Sequence, residues 1–334
     1  MQFLRKFLLP FSLLYGFATL LRNKLFDWNV LPSVAFEKTL VVVGNLNTGG
    51  TGKTPMTEFL VENLQKDRKI AVLSRGYGRQ TKGFVLADRH SDASSLGDEP
   101  FQIHQKFPEI VVAVDADRRQ GVRHILSRYP DVDTILLDDA FQHRYVQPKM
   151  SILLTSYGDL YVDDCLLPAG NLRESGRGAA RADVIVVTKC PPQLSEAEKS
   201  GIAKKIALLP HQKLFFSTIT YANFARNHQA EVLLSSFLGK QVCLVTGIAN
   251  PKPLVTYLKS QNIDFEHLKF PDHHRFGEDD MALLNQKACI LTTEKDFVRL
   301  DKKLQTACYY LPISVSFLDD ETAFIREILN KILV

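Results

Sequence analysis

The sequence predicts a protein of two α/β domains, the first of them built on a parallel β-sheet. The chain has 334 residues, more than the roughly 150 residues of an ordinary domain. From residue 39 onward, short apolar runs alternate with segments of helical spacing, which is the pattern of successive β-α-β units. This pattern is interrupted after Pro210 and begins again at Val242. We therefore expect an N-terminal segment at 1–30, a first domain at 31–212, a linker at 213–235 and a second domain at 236–334.

The apolar runs give the strands of the first domain, and the segments between them give its helices. The predicted strands are Leu40–Val43, Ile70–Leu73, Ile110–Val114, Thr134–Leu137, Ile152–Leu154 and Val184–Val187. The predicted helices are Met56–Gln65, Gln120–Tyr129 and Ala197–Leu208. Residues 214–221 alternate between apolar and polar types, which favours an extended linker strand. The second α/β series runs from Val242–Thr246 to a last helix near Glu321–Leu333.

A phosphate-binding loop follows the first predicted strand. Residues 44–55 read GNLNTGGTGKTP and precede a predicted helix. Glycines allow the backbone N–H groups to close around phosphates, a lysine reaches the β and γ phosphates, and a threonine hydroxyl ligates Mg²⁺. The predicted nucleotide-binding residues are Asn47, Thr48, Gly49, Gly50, Thr51, Gly52, Lys53 and Thr54. The usual pattern has glycine at position 47, so Asn47 marks a variant of a P-loop NTPase-like domain.

Two acidic motifs are candidates for the metal and acid–base side of the site. The strand at 134–137 ends in Asp138 and Asp139, and a carboxylate in that position can hold Mg²⁺ directly or through water. Asp98 and Glu99 follow a polar loop, where they could supply a base and a metal-facing group. A strand-end turn and a helix N-terminus explain these two motifs in purely structural terms.

Three further motifs have both a functional and a structural interpretation. Arg173 in LLPAGNLRE could stabilise charge on a transferred phosphoryl group, or could simply pair with Glu174 at the surface. The vicinal histidines His273 and His274 follow Asp272, which could orient one imidazole as a base or relay. Such a pair is also common in polar turns. The loop around Tyr77, SRGYGR, could bind an anion or an aromatic face.

Composition narrows the class of protein and its compartment. Hydrophobic residues make up 45% of the chain and charged residues 23%, as in soluble globular proteins. The formal net charge of +4 gives no reason to expect nucleic acid. None of the five cysteines forms a C-x-x-C pair, so neither a zinc site nor a disulfide framework is indicated and a reducing cytoplasm is expected.

The N-terminal 30 residues suit a membrane surface. Residues 7–21 carry no charge and are flanked by Arg5 and Lys6 on one side and by Arg22 and Lys24 on the other. A helix from Pro10 to Lys24 would be roughly 20 Å long, shorter than the roughly 30 Å core of a bilayer. We therefore expect an interfacial helix on an anionic surface. A buried core helix is the alternative.

Together these motifs resemble the family of tetraacyldisaccharide 4′-kinases, the lipid A 4′-kinases of Gram-negative bacteria. The resemblance extends over most of the chain and rests on the order of GNLNTGGTGKTP, SRGYGR, GDEP, DADR, LLDDAFQHR, LLPAGNLRE, VVTK, PDHH and TTEKD. It implies transfer of the γ-phosphate of ATP to the 4′-hydroxyl of a tetraacylated glucosamine disaccharide 1-phosphate. It also implies a location at the cytoplasmic face of the inner membrane and two α/β domains joined by a short β linker.

The resemblance also implies roles for individual residues. Asp98 would accept the hydroxyl proton with the help of His273, which we prefer to His274, while Lys53 and Arg173 would act on the phosphates. Thr54, Asp138 and Glu99 would face Mg²⁺. The supporting residues would be Tyr77, Asp139, Gln142, His143 and Glu174.

Two other functions fit the phosphate loop. One is a membrane-associated ATPase or GTPase switch, and the other is a cytosolic small-molecule kinase. The sequence leaves the oligomeric state and the preferred acyl chains open.

Overall fold

Strand β1 (Thr39–Asn45) lies inside a nine-stranded sheet that is covered on both faces. Leu40 and Val42 pack in the hydrophobic cluster on one face, and Val41 and Val43 pack in the cluster on the other. A strand buried on both faces needs apolar residues at every position, which explains the continuous run Leu40 to Val43. The computed structural model describes residues 5–300 and 304–333. Residues 1–4 of the predicted N-terminal segment lie outside this range.

The strands were predicted as apolar runs, and most have the expected places. In chain order they are β1 (Thr39–Asn45), β2 (Ile70–Ser74), β3 (Val85–Leu86), β4 (Val111–Val114), β5 (Thr134–Asp138), β6 (Met150–Ser156), β7 (Val184–Thr188), β8 (Lys213–Tyr221), β9 (Phe224–Arg226), β10 (Glu231–Leu233), β11 (Val242–Thr246), β12 (Phe265–Lys269), β13 (Ile290–Thr293), β14 (Cys308–Leu311) and β15 (Ile313–Phe317).

The helices are, in chain order, α1 (Leu9–Asp27), α2 (Lys53–Leu64), α3 (Ala93–Leu96), α4 (Asp98–Lys106), α5 (Arg118–Arg128), α6 (Glu196–Ile206), α7 (Lys252–Ser260), α8 (Glu278–Leu284), α9 (Glu294–Leu300) and α10 (Glu321–Leu333). The short helices α3, α4 and α9 were not predicted, because segments of four to nine residues contain too few turns to reveal a helical period.

The large sheet confirms the predicted P-loop NTPase-like α/β class. Its strand order is β15-β8-β7-β6-β1-β5-β2-β4-β3. Strand β1 pairs in parallel with β5 and β6, and only the edge strands β3 and β15 run antiparallel to their neighbours. The carboxyl ends of β1 and β5 therefore lie at one edge of the sheet, where α/β proteins bind their ligands.

The structure differs from the predicted domain boundaries at two places. Strand β8, predicted as a linker, pairs in parallel with β7 and belongs to the large sheet. Strand β15 and helix α10, predicted within the second domain, return to the first, where Phe324 stacks on Phe317 with ring centroids 4.2 Å apart. This return joins segments about a hundred residues apart, so no local pattern could reveal it.

The second domain is a six-stranded sheet of order β10-β9-β14-β13-β11-β12. Strand β11, between β13 and the edge strand β12, is fully buried, with Leu244 packing in one hydrophobic cluster and Val245 in another. Helices α4 and α9 join the domains: Lys106 on α4 contacts Glu58 on α2 at 2.7 Å and Glu294 on α9 at 3.5 Å. The second domain is thereby fixed close to the helix that follows the phosphate loop.

Helix α1 begins one residue before Pro10 and extends to Asp27, slightly beyond the predicted end at Lys24. Proline suits the first turn because the N–H that it lacks would have no partner there. Among the helices in the described part of the chain, none combines the length and the apolarity needed to cross a bilayer.

We predict that Phe324→Ala destabilises the first domain by about 3–5 kcal/mol. Phe324 is fully buried and also lies 5.2 Å from Phe215 and 6.0 Å from Phe59, between ring centroids. Its loss leaves a cavity where α10 meets the sheet. Chemical denaturation followed by circular dichroism measures the change. Leu283→Ala, at an exposed position, is the control, and equal stability of the two variants would contradict the packing described for α10.

Candidate active site

The predicted phosphate loop connects β1 to α2. Gly49 has φ of 129° and Gly52 has φ of 85°, backbone conformations that favour glycine. The Lys53 Nζ atom lies 3.4 Å from Asn45 Oδ1 and 3.7 Å from Asp139 Oδ1. Because α2 begins at Lys53, the first N–H groups of the helix and the ammonium of Lys53 are both near the phosphate loop. This arrangement suits a polyphosphate.

Asn47, the departure from the usual loop pattern, has a structural partner. Its side chain is buried, and Nδ2 donates a hydrogen bond to Asp164 Oδ2 over 3.0 Å. The neighbouring Thr48 N–H donates to the carbonyl of Asn171 over 2.7 Å. These bonds attach the phosphate loop to the segment at 164–174. Asn47 thus adds a hydrogen bond that glycine could not make.

Asp138 lies at the end of β5, opposite Val43 of β1. Its carboxylate is buried and accepts hydrogen bonds from Thr57 at 3.3 Å and Ser74 at 3.2 Å. Burial, together with the negative charges of Glu99 and then Asp139, raises the pKa of Asp138 to about 7, against the opposing effect of Lys53 and Arg118. Crowded carboxylates of this kind are typical of sites that receive a cation.

The donor set at this place fits Mg²⁺ bound together with a nucleotide. The described residues contain no group of three His, Cys, Asp or Glu side chains that could hold a metal by themselves. Mg²⁺ is usually bound by one or two carboxylates, water and substrate phosphates. Asp138, Glu99 and Thr54 are the residues that would hold the ion.

Arg173 reaches the site, whereas Glu174 points away from it. The Arg173 guanidinium donates to Asp139 Oδ1 at 2.9 Å. Glu174 is buried and accepts hydrogen bonds from Arg181 at 2.7 Å and Asn23 at 2.8 Å. The simple Arg173–Glu174 surface pair considered above is therefore not formed. Arg173 faces the phosphate loop, and the bonds of Glu174 hold its own segment, residues 164–174, in place.

Gln142 and His143 lie a few residues after Asp139. Gln142 binds a backbone carbonyl at the end of β1, and His143 is half-buried. Gln142 Nε2 donates to the carbonyl of Asn45 at 2.8 Å. His143 is half-buried, and its Nε2 atom has no hydrogen-bond partner among the described residues. Burial and the nearby charge of Arg118 lower the pKa of His143 to about 4. The ring is therefore neutral at physiological pH.

Asp98 and His273 meet across the boundary between the two domains. Asp98 is the first residue of α4, and His273 lies in the loop after β12. The His273 Nδ1 atom is 3.4 Å from Asp98 Oδ2. Burial raises the pKa of Asp98, but hydrogen bonds from His273 and Arg299 and the charge of Arg299 outweigh it, giving a pKa of about 2. Asp98 is thus ionised at neutral pH.

Both ring nitrogens of His273 lie close to a cation. The Nε2 atom is 3.1 Å from the ammonium of Lys295, and the Nδ1 atom is 3.1 Å from the guanidinium of Arg299. Nδ1 is therefore shared between Arg299 and the carboxylate of Asp98. The exposed ring of Tyr77 meets His273 edge-on, with centroids 5.8 Å apart. His274 faces away, because its Nε2 atom contacts Asp280 at 2.8 Å.

Sequence reasoning did not identify Arg299. Its guanidinium donates to Asp98 and, at 3.3 Å, to Asp296. Lys295, in the motif TTEKD, lies 3.7 Å from Glu99 and was likewise given no role from the sequence. The two cations are four residues apart, so a prediction of helix α9 would have placed both on one face.

The chain resembles known proteins over nearly its whole length. A family model described as tetraacyldisaccharide-1-P 4′-kinase matches residues 4–333. This chain belongs to that family. A tetraacyldisaccharide 4′-kinase of Flavobacterium johnsoniae is 48% identical and covers 99% of this chain and 98% of the relative. One from Bacteroides fragilis is 44% identical, covering 95% of this chain and 90% of the relative.

A solved structure agrees with the family assignment. LpxK from Aquifex aeolicus, crystallised in complex with ATP, is 28% identical and has a TM-score of 0.79, covering 98% of this chain and 99% of that one. Membership in the tetraacyldisaccharide 4′-kinase family confirms the predicted ATP-dependent lipid kinase of lipid A biosynthesis. The nucleotide-driven switch and the cytosolic small-molecule kinase are accordingly set aside.

We predict that Arg299→Leu raises the pKa of Asp98. The substitution removes a hydrogen bond and a positive charge that favour the carboxylate, while the burial that disfavours it remains. If ionised Asp98 is needed for turnover, kcat/KM will fall as the pH is lowered toward the raised pKa. Wild type, in which the pKa of Asp98 is about 2, will lack this additional fall above pH 4, whereas the protonation of Asp138, whose pKa is about 7, is common to both proteins. Rate profiles between pH 4 and 8 measure the difference.

The control is Lys287→Gln, which removes a cation that pairs with Glu266 in the second sheet. Identical acid limbs for Arg299→Leu and wild type would contradict the proposed control of Asp98 by Arg299.

Proposed function

We propose that this chain transfers the γ-phosphate of ATP to the 4′-hydroxyl of tetraacyldisaccharide 1-phosphate in the cleft between the phosphate loop and the Asp98–His273 pair. We further propose that it works with Mg²⁺ at the cytoplasmic face of the inner membrane. The observation that supports this most is the meeting of Asp98 and His273, 3.4 Å apart, from two different domains. Glu99, beside Asp98, is close enough to Asp138 to influence its pKa.

The phosphate loop would bind the nucleotide through the backbone of residues 47–54. Lys53 would contact the β and γ phosphates. Its contacts with Asn45 and Asp139 hold the ammonium group near the N-terminus of α2. Mg²⁺, when bound beside Thr54, Asp138 and Glu99, would neutralise phosphate charge. Arg173 would exchange its contact with Asp139 for the transferred phosphoryl group, where a positive charge stabilises the transition state.

Asp98 would accept the proton of the 4′-hydroxyl. Arg299 and His273 both contact Oδ2 of Asp98, so Oδ1 is the atom that we expect to face the substrate. The acceptor oxygen forms a bond to the γ-phosphorus, the bond from that phosphorus to ADP breaks, and the proton passes to Asp98. In a loose phosphoryl-transfer transition state the acceptor oxygen has formed little of its bond to phosphorus. A weak base such as ionised Asp98 therefore suffices. His273 would orient Asp98 and relay the proton.

Helix α1 would hold the enzyme at the membrane. Its outward side is apolar, with Leu13 74% exposed, Leu14 70% exposed and Phe17 65% exposed. Arg5 and Lys24 are exposed near its ends. An apolar face with flanking cations suits an anionic lipid surface, and the acylated acceptor resides in such a surface.

We predict that Asp98→Asn and His273→Ala each lower kcat by about 100-fold or more, since a positioned base contributes 10² to 10⁴. His274→Ala is the matched control, because the neighbouring imidazole is bound to Asp280 instead. The assay uses purified protein, labelled ATP, Mg²⁺ and the detergent-solubilised lipid acceptor. Phosphorylated lipid is the readout. Equal losses for the two histidine variants would argue against the role of His273.

We predict that Leu13→Ser combined with Leu14→Ser weakens binding to anionic vesicles. Each substitution removes an exposed apolar side chain that would enter the headgroup region, at a cost of about 2 kcal/mol each. Sedimentation with phosphatidylglycerol vesicles measures the bound fraction. Leu283→Ser changes an exposed leucine elsewhere and serves as the control. Unchanged vesicle binding of the double variant would contradict the lipid contact.

A further inference from the structure

Helix α1 has its polar side toward the protein and its apolar side outward. Ser12 is buried, and Tyr15, Thr19 and Asn23 are half-buried on the same side. These positions recur every three or four residues, so they form one stripe along the helix. A helix that only needed to pack on a protein core would present its apolar side inward. The polar stripe therefore has another task.

That task is a set of hydrogen bonds to the loop at 166–174. The Ser12 hydroxyl donates to the carbonyl of Leu166 at 3.0 Å and accepts from the N–H of Ala169 at 2.9 Å. The Tyr15 hydroxyl donates to the carbonyl of Arg173 at 2.7 Å. Asn23 donates to Glu174 Oε2 at 2.8 Å. These contacts extend from Ser12 to Asn23 of the helix.

The same loop is attached to the phosphate loop on its other side. The Arg173 N–H donates to the carbonyl of Leu46 at 2.8 Å. The Arg173 side chain donates to Asp139, and Asp139 in turn lies near Lys53. A continuous series of contacts therefore leads from α1, through the backbone of Arg173, to the lysine of the phosphate loop.

Tyr15 is suited to a fixed donor role. Burial and the nearby charge of Glu174 raise the pKa of the Tyr15 phenol, while Arg173 and Arg22 oppose this. The hydroxyl consequently keeps its proton at physiological pH. Asn23 complements it, since Glu174 is buried and needs donors for both carboxylate oxygens.

We propose that Tyr15 and Asn23 are positioning residues for phosphoryl transfer: through the 166–174 loop they hold Arg173 where it meets the phosphates. Helix α1 is then part of the active site as well as the membrane contact. This inference rests on the proposed function, because it assigns Arg173 to the transferred phosphoryl group. It explains why polar side chains face the protein along most of α1, before the buried Phe26 near its end.

The test compares Tyr15→Phe with wild type and with Thr19→Ala. Among the described residues, the Thr19 hydroxyl bonds only within its own helix, to the carbonyl of Gly16 at 3.0 Å, so Thr19→Ala controls for any general change in α1. Turnover is measured with full-length protein, Mg²⁺ and saturating detergent-solubilised acceptor, and vesicle binding and melting temperature are measured in parallel. We expect kcat to fall about 10-fold in Tyr15→Phe, equivalent to one strong hydrogen bond, with vesicle binding and melting temperature unchanged.

A double-mutant cycle identifies the route of the effect. If Tyr15 acts through Arg173, Tyr15→Phe will have no further effect in an Arg173→Ala background, because coupled residues are not additive. A purely structural role would give additive losses. Asn23→Ala is expected to behave in the same way.

Each outcome has a distinct meaning. A kcat of Tyr15→Phe within twofold of wild type, or additive losses with Arg173→Ala, overturns the inference and leaves the proposed function intact. Failure of wild type to phosphorylate the lipid acceptor overturns the proposed function itself.

Discussion

The parallel register of β1 and β5 is the constraint on which the site depends. Val43 lies opposite Asp138, so the phosphate loop and the Asp138–Asp139 pair leave the sheet at the same edge. The side chains of β1 and β5 pack in the hydrophobic clusters on both faces of the sheet, and close packing of this kind resists a shift in register. The core therefore fixes the distance between Lys53 and Asp139. The packing of the sheet therefore sets the positions of the site residues.

Charge is balanced around this edge by groups from several elements. Burial raises the pKa of Asp138, and the negative charges of Glu99 and Asp139 raise it further. Lys53 and Arg173 both contact Asp139 in this structure. A polyphosphate entering with a divalent ion would bring partners for both sets of charges. The site is thus arranged for an anion and a cation together, which is the requirement of a nucleotide-dependent kinase.

The second domain contributes cations as well as His273. Arg299 and Lys295 on α9 contact Asp98 and Glu99 on α4, and Lys106 links the same two helices close to α2. The acid–base pair therefore exists only while the domains are together. On the opposite side of the phosphate loop, α1 presents a polar stripe to the 166–174 loop. One loop thereby contacts both α1 and the phosphate loop.

The sequence by itself determined the phosphate loop, the central strands and the strand-end aspartates, because these depend on short local patterns. Motifs shared with a family also predicted that Asp98 and His273 act together, and the two side chains lie 3.4 Å apart. Only the tertiary structure decided that residues 313–333 return to the first domain, that Glu174 binds Arg181 and Asn23, and that Arg299 contacts Asp98 across 201 positions of the chain. Such contacts arise when distant elements pack together, and no spacing along the chain records them.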